Sequence, residues 1–287
     1  VVIVATCAVL LVACERDEPR NPAANVAERD SRTAWIDAER IRNADSEPHN
    51  WLAHGRTFSE QRYSPLDQVN TANVAELELA WYVDLDTSRG QEATPIVVDG
   101  VLYSTSAWSK VQAVDAKTGR LLWQYDPQVP GIWDVRACCG VQNRGAAVWQ
   151  GRVISATLDG RLIALDAGTG ELIWEFHDGA SIFNITPAYY DGKVFLSCWH
   201  GLGLGGICVE AVVYCIDAET GEKLWTHLGA GLSSPVIGAG GHVYFPSIAD
   251  PYFYCVDAEG NGDGTTNCHW MYKMGNKVEE STPAIYK

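Results

Sequence analysis

The sequence predicts an all-β chain, on the strength of two interleaved repeats. Ala113-Val-Asp115-Ala-Lys-Thr118-Gly119-Arg-Leu-Leu-Trp123 returns as Ala164-Leu-Asp166-Ala-Gly-Thr169-Gly170-Glu-Leu-Ile-Trp174 and again as Cys215-Ile-Asp217-Ala-Glu-Thr220-Gly221-Glu-Lys-Leu-Trp225. The tryptophans recur every 51 residues. A looser fourth copy runs from Cys255-Val-Asp257-Ala258 to Trp270, and Trp81 is placed to close an earlier unit. Between these copies lies a second phrase: Thr94-Pro95 leading to Asp99-Gly100, Thr186-Pro187 leading to Asp191-Gly192, Ser234-Pro235 leading to Gly241, and Thr282-Pro283.

Each piece of the unit has a local reason. Asp-Gly between alternating apolar residues is a two-residue hairpin signal. In Asp-Ala-x-Thr-Gly the aspartate can accept from its own downstream backbone while the glycine takes a positive φ, so it reads as a second turn. The unit is therefore strand, Asp-Gly turn, strand, loop, strand, Asp-x-x-Thr-Gly turn, and a strand ending in Trp. A four-stranded unit at a period of roughly 40–51 residues cannot bury both faces alone and must stack on its neighbours, which is the pattern of a β-propeller. A tryptophan at one fixed place in each unit suits that stacking, with a large apolar face and one N–H to satisfy. These tryptophans are architectural. Trp81 to Lys287 supplies about four blades and the first strand of a fifth, so the expectation is a partial, unclosed propeller whose closure draws on further sequence.

Ahead of the repeats, Val1–Ala13 carries no charge and has the length of a signal-peptide core, too short to span a bilayer. It ends in Leu11-Val12-Ala13-Cys14 and turns polar at Glu15. This resembles the bacterial lipoprotein cleavage box, with Cys14 as the lipidated residue; a plain secretory signal with Cys14 incidental is the other reading. Either exports the chain to the periplasm, where disulfides persist. Residues 15–50 read as a polar tether with a short helix around Ala34–Asn43. The chain does not begin with Met and is expected to start inside a longer reading frame. A net charge of −15 leaves nothing to neutralise phosphates and argues against a nucleic-acid partner.

The most unusual local feature is Ala137-Cys138-Cys139-Gly140-Val-Gln-Asn143-Arg144-Gly145. Neighbouring Cα atoms sit about 3.8 Å apart, while a relaxed disulfide wants roughly 4.4–6.8 Å. Joined, the pair would close a small strained ring that shortens the unfolded chain hardly at all; the other reading is two free buried thiols.

Over residues 51–176 the sequence resembles the quinoprotein propellers, the alcohol dehydrogenases that use pyrroloquinoline quinone (PQQ). The phrases that carry the resemblance are Gly55-Arg56-Thr-Phe-Ser-Glu60-Gln61-Arg62-Tyr63-Ser64-Pro65-Leu66, Gln91-Glu92-Ala93-Thr94-Pro95 and the Cys138–Gly145 segment, in the family's order and spacing. The resemblance implies an eight-bladed ring, of which this chain holds part. It implies that Cys138 and Cys139 form the strained disulfide that packs on one face of the quinone, and that Glu92 and Arg144 bind polar groups at its edge. A small alcohol is the implied substrate, Ca²⁺ the implied metal, and a cytochrome or quinone the implied electron acceptor. Arg144 offers a planar donor fork suited to a carboxylate.

Past His177 the family signature fades. The glutamate that would bind Ca²⁺ falls out of register, leaving Glu210 as the nearest carboxylate; no family aspartate base or calcium-binding asparagine is found, nor a quinone-contacting threonine around Asn184. Cys198, Cys208, Cys215, Cys255 and Cys268 are an odd set whose pairing the sequence does not fix, with Cys198–Cys208 a plausible bridge. No Cys-x-x-Cys-His occurs, so no covalent haem is encoded in this segment. Asp257, Glu259, Asn261 and Asp263, with Gly262 at the sixth position, resemble the start of a Ca²⁺ loop, though Cys268 stands where the closing Glu belongs; a polar turn is the alternative. Two other functions stay open: a non-catalytic propeller lipoprotein that uses its rim as a scaffold, as outer-membrane assembly factors do, and a recombined chain with a dehydrogenase front.

Overall fold

The computed structural model describes residues 33–136, 140–178, 181–182, 185–200, 210–229, 233–238, 240–248, 250–276 and 282–285. Cys14, Cys138, Cys139 and Cys208 lie outside these residues, as do the signal and lipidation readings. The described part is all-β, with four antiparallel sheets that form an unclosed run of blades. Blade 1 holds β1 (Ile96–Val98), β2 (Val101–Thr105), β3 (Val111–Asp115) and β4 (Leu121–Tyr125). Blade 2 holds β5 (Ala146–Trp149), β6 (Arg152–Ala156), β7 (Arg161–Asp166) and β8 (Leu172–His177). After the short β9 (Ser181–Ile182), which joins the next sheet, blade 3 holds β10 (Ala188–Tyr190), β11 (Lys193–His200), β12 (Glu210–Asp217) and β13 (Lys223–Leu228). Blade 4 holds β14 (Val236–Ile237), β15 (His242–Pro246), β16 (Tyr252–Asp257) and β17 (Cys268–Lys273). Apart from β9, which pairs with β11, strands pair in sequence order in each sheet.

The two turn types form where the sequence places them. Asp99-Gly100 links β1 to β2 and Asp191-Gly192 links β10 to β11, all four with positive φ, the geometry that matches the strand twist. In the Asp-x-x-Thr-Gly turns, Thr118 N–H donates to Asp115 Oδ1 at 2.8 Å, and Thr169 and Thr220 do the same to Asp166 and Asp217, each at 2.8 Å.

The tryptophans couple one blade to the next by one recurring contact. Trp81, Trp123, Trp174 and Trp225 donate Nε1–H to the carbonyls of Ala116, Ala167, Ala218 and Ala258 at 3.1, 2.9, 3.2 and 3.0 Å. Each indole packs closely against the turn glycine of the next blade. A Cβ added at Gly119, Gly170 or Gly221 would stand 2.7–2.8 Å from the ring above it, and at Gly260 it would stand 2.3 Å away. These glycines are needed for close approach as well as for their positive φ. Trp81 sits on a strandless segment and still docks like the others, as its spacing predicts. Trp270 is 46% exposed, with Met271 and Tyr272 beside it, so blade 4 presents an apolar edge.

The segment ahead of the blades is more integrated than its composition suggests. The helix expected over 34–43 is confined to α1 (Ala38–Arg42), capped by Asp37, whose carboxylate accepts Arg40 N–H at 2.8 Å. Ala34, Ile36, Ile41, Ala44 and Leu52 are buried in one core with Ile96, Val98, Val148 and Val153. Ile36 and Ala34 carbonyls accept from Gln150 and Gly151, and Arg40 forks to both Glu47 and Asp99. Residues 34–50 therefore belong to the folded body: a few well-placed aliphatics among polar neighbours suffice to dock a short segment.

Candidate functional site

The segments that lead into successive blades border an open polar cleft, lined by His54, Glu60, Arg62, Glu92, Thr94, Arg144, Ile185, Thr186, Ser234, Thr282, Pro283 and Ala284. It continues into a narrow, largely apolar cavity between the blades, which shares His54, Glu60, Thr186, Ser234 and Thr282 and adds Leu52, Phe58, Ile96, Val148 and Tyr189. The cleft has a simple origin in the repeat. Thr94, Thr186, Ser234 and Thr282 are the hydroxyl residues of the recurring Thr/Ser-Pro phrase, and the stacking of blades brings the equivalent positions around one space. The sequence carries the signal, but it reads only as strand starts until the blades stack. Thr186 lies two residues past Asn184 and lines the cleft.

Of the residues singled out by sequence, Glu92 and Arg144 come together on the cleft wall, with Arg144 Nε donating to Glu92 Oε2 at 3.1 Å. They are 52 residues apart in sequence. The backbone beneath Arg144 is fixed: its carbonyl accepts from Thr94 N–H at 3.2 Å and from the Thr186 hydroxyl at 2.9 Å. Buried Asn143 explains the rest of that phrase. It donates to Ala156 O at 2.8 Å and accepts from the Thr105 hydroxyl at 2.6 Å and from Gly145 N–H at 3.0 Å. Asn143 is a structural pin that aims Arg144. α2 (Ile132–Arg136) leads to Cys138 and Cys139, which lie outside the described residues.

Glu60 and Arg62 of the Gly55–Leu66 signature line the same cleft. Arg56, buried, donates to Ala44 O at 3.2 Å and to Asp45 at 2.7 Å, tying the loop to the N-terminal segment. Arg56, Glu60 and Arg62 all have positive φ, a cluster of strained non-glycine residues beside a cleft. Gly55 is obligatory here, since a Cβ would lie 2.5 Å from the Glu60 Cα, a backbone atom that cannot swing away. Burial pushes the Glu60 carboxyl up to about 7, opposed by the nearby Arg62 charge and a Gly55 backbone hydrogen bond. Burial, with Arg62 second, brings His54 down to about 4. Arg62 Nη2 lies 2.8 Å from His54 Nε2. Glu60 Oε2 and His54 Nδ1 are buried without hydrogen-bond partners among the described residues. The cleft thus offers two guanidiniums, a ring of hydroxyls and two buried polar atoms still lacking partners. That donor set fits a flat, anionic, oxygen-rich ligand such as PQQ.

The chain matches the family described as PQQ-dependent glucose/ethanol/alcohol dehydrogenase, β-propeller domain, over residues 51–196. It belongs to that family. The match continues 20 residues past the region where the motifs are legible. The dehydrogenase subunit of alcohol dehydrogenase (quinone) from Komagataeibacter europaeus is 49% identical over 203 residues, covering 65% of this chain and 26% of that protein. The 1-butanol dehydrogenase (cytochrome c) of Thauera butanivorans is 49% identical over 151 residues, 51% of this chain and 22% of that one. The chain spans about a quarter of the length of these curated relatives. Among solved structures, the quinohemoprotein alcohol dehydrogenase of Comamonas testosteroni superimposes with a TM-score of 0.76 at 31% identity, covering 88% of this chain and 44% of that one. Quinohemoprotein alcohol dehydrogenase ADHIIG from Pseudomonas putida gives 0.75 at 35% identity, covering 85% and 43%. The likeness runs through the blades where the motifs fade.

The remaining sequence candidates lie elsewhere. None of Asp257, Glu259, Asn261 and Asp263 lines the cleft. Their side chains are engaged separately: Asp257 with His269, Glu259 with Lys193, and Asn261 and Asp263 with Thr265. Glu210 begins β12 opposite His200, and its side chain is outside the described set, as is that of Cys198. Cys215, Cys255 and Cys268 are free thiols.

Proposed function

We propose that this chain forms a PQQ-binding part of an exported alcohol dehydrogenase that passes electrons to a cytochrome or quinone. The observation that carries the proposal is the Glu92–Arg144 pair, 3.1 Å apart on the cleft wall at the positions the family resemblance assigns to cofactor binding. When bound, the quinone would supply the two-electron acceptor that turns a CH–OH into a carbonyl. The protein's own residues do the rest. Arg144, oriented by Glu92 and by the pinned backbone below it, would turn its planar guanidinium toward a carboxylate or quinone oxygen. Arg62 adds a second positive charge to the cleft lining. Cys138 and Cys139, as a disulfide, would form a flat wall against one face of the quinone.

Calcium, implied by the same resemblance, needs oxygen ligands at about 2.3–2.6 Å. Glu60 and Glu92 are the described carboxylates that line the cleft. The leader Val1–Ala13 and Cys14 would supply export and a lipid anchor. The name of the Thauera relative supports a cytochrome as acceptor.

PQQ titrated into the chain with and without Ca²⁺, followed by tryptophan fluorescence and calorimetry, tests the reading. One PQQ per chain is expected, with Arg144→Ala weakening binding about 10- to 100-fold through loss of a charge-assisted contact. No binding under either condition, or binding that ignores Arg144→Ala, would overturn it and favour a scaffold role.

A further inference from the structure

The fourth blade departs from the repeat in a way that neither the fold nor the cleft requires. From Asp257 to Trp270 its turn is five residues longer than the corresponding stretches of blades 1 to 3. The docking part of the turn is kept, since Ala258 O still accepts the Trp225 N–H. What changes is the aspartate. Asp115, Asp166 and Asp217 each cap their turn by accepting from the threonine N–H three residues on. The Asp257 carboxylate instead reaches His269, with Oδ1 2.5 Å from Nε2.

Two histidines then stand at positions where the other blades have none. His242 pairs in register with Asp257, just as Val101, Arg152 and Lys193 pair with Asp115, Asp166 and Asp217. His269 is the residue before the docking tryptophan, the place of Leu122, Ile173 and Leu224. In all four blades that residue falls in a break of register between the last two strands, and a bulge re-aims the side chain it carries. Here the re-aimed group is an imidazole. Its ring centre is 4.5 Å from that of His242, at 87°. One ligand atom from each of His242, Asp257 and His269 lies within 4.8 Å of the others.

We infer that His242, Asp257 and His269 bind a divalent transition ion of the Zn²⁺ class. Two imidazole nitrogens and one carboxylate oxygen suit zinc and its neighbours in the first transition row, whereas Ca²⁺ and Mg²⁺ want all-oxygen sets. The direct Asp257–His269 contact would open to admit the ion, and three protein ligands at about 2.0–2.2 Å would leave a fourth position for water on the half-exposed side of the cluster. The ion would tie the ends of β15, β16 and β17 together beside Ala258, and so brace the enlarged turn against which Trp225 of blade 3 docks. The Asp257–Asp263 segment contributes one ligand, in place of the calcium loop its spacing suggested.

Zn²⁺ titrated calorimetrically into the chelator-treated chain should bind at one ion per chain and raise the melting temperature. Co²⁺ should give the visible bands of a four-coordinate site, and excess Ca²⁺ should not compete. His242→Arg and His269→Leu install residues that blades 2 and 3 carry at the same places, so each should fold, yet weaken Zn²⁺ by about tenfold or more. Asp257→Asn removes the charge while keeping the shape, and should weaken Zn²⁺ as well. Affinity weaker than about 100 μM, or binding and a melting shift that survive in all three variants, would overturn the assignment.

Discussion

The blade-to-blade docks and the cleft wall at residues 54–62 are built on opposite terms. In the docks every polar group has its partner: each indole N–H finds an alanine carbonyl, and in blades 1 to 3 each turn aspartate finds a threonine N–H. In the cleft wall Glu60 Oε2 and His54 Nδ1 are buried without partners among the described residues, and Arg56, Glu60 and Arg62 hold positive φ. The first arrangement accumulates stability, one dock at a time. The second spends some of it to hold charged and polar groups ready for a ligand.

The largest expected effect breaks a dock. Trp225 is 1% exposed and Trp270 46%, although both end the same phrase. Trp225→Ala should cost about 3–5 kcal/mol by truncating a buried aromatic. Trp270→Ala should cost well under about 1 kcal/mol. Urea unfolding of both variants checks the pair, and equal losses would mean that the docked geometry does not carry the stability.

The next prediction sharpens the cost of the cleft wall. Burial raises the Glu60 carboxyl to about 7 in the folded chain, from 4.5 when exposed. The folded state therefore holds a proton that the unfolded state releases. Glu60 favours folding most below pH 4.5, and this contribution is lost as pH rises through about 7. Glu60→Gln should flatten that pH dependence and stabilise the chain at pH 8 by on the order of 2 kcal/mol. The same proton removes a negative charge from the cleft, so an anionic ligand should bind more tightly below pH 7 than above it. Melting curves and PQQ titrations across pH 5–9 would read both, and identical profiles for Glu60→Gln and the parent chain would refute the burial argument.

The smallest effect compares two aspartates of one motif. Asp217→Ala removes a turn cap, a loss of about 1 kcal/mol. Asp257→Ala, measured without added metal, removes an exposed pair with His269 and should cost a few tenths of that. A larger loss at Asp257 would show that the fourth turn depends on this carboxylate for more than ion binding.

The fold was legible because its information is local and repeated. Asp-Gly turns, Asp-x-x-Thr-Gly turns and a tryptophan at a fixed place are each set within a few residues, and four copies reinforce one another. Glu92 and Arg144 were legible through the family resemblance, and the structure brings them within 3.1 Å. The structural role of residues 34–50 was hidden, because Ile36 and Ile41 are too few to outweigh the charges around them in sequence. His54 and Glu60 were hidden as titrating groups, because burial is a property of the stacked blades and not of the Gly55–Leu66 phrase.

The sequence by itself determined a propeller of four-stranded units, the docks that join them and the family they belong to, since period and turn chemistry are written along the chain. Only the tertiary structure decided that Thr94, Thr186, Ser234 and Thr282 share one cleft, that Glu60 loses its water, and that Asp257 turns from its own loop toward His242 and His269. Stacking brings equivalent positions of distant repeats into one space, and a register break re-aims a single side chain; the repeat marks these positions in sequence, but not that they meet.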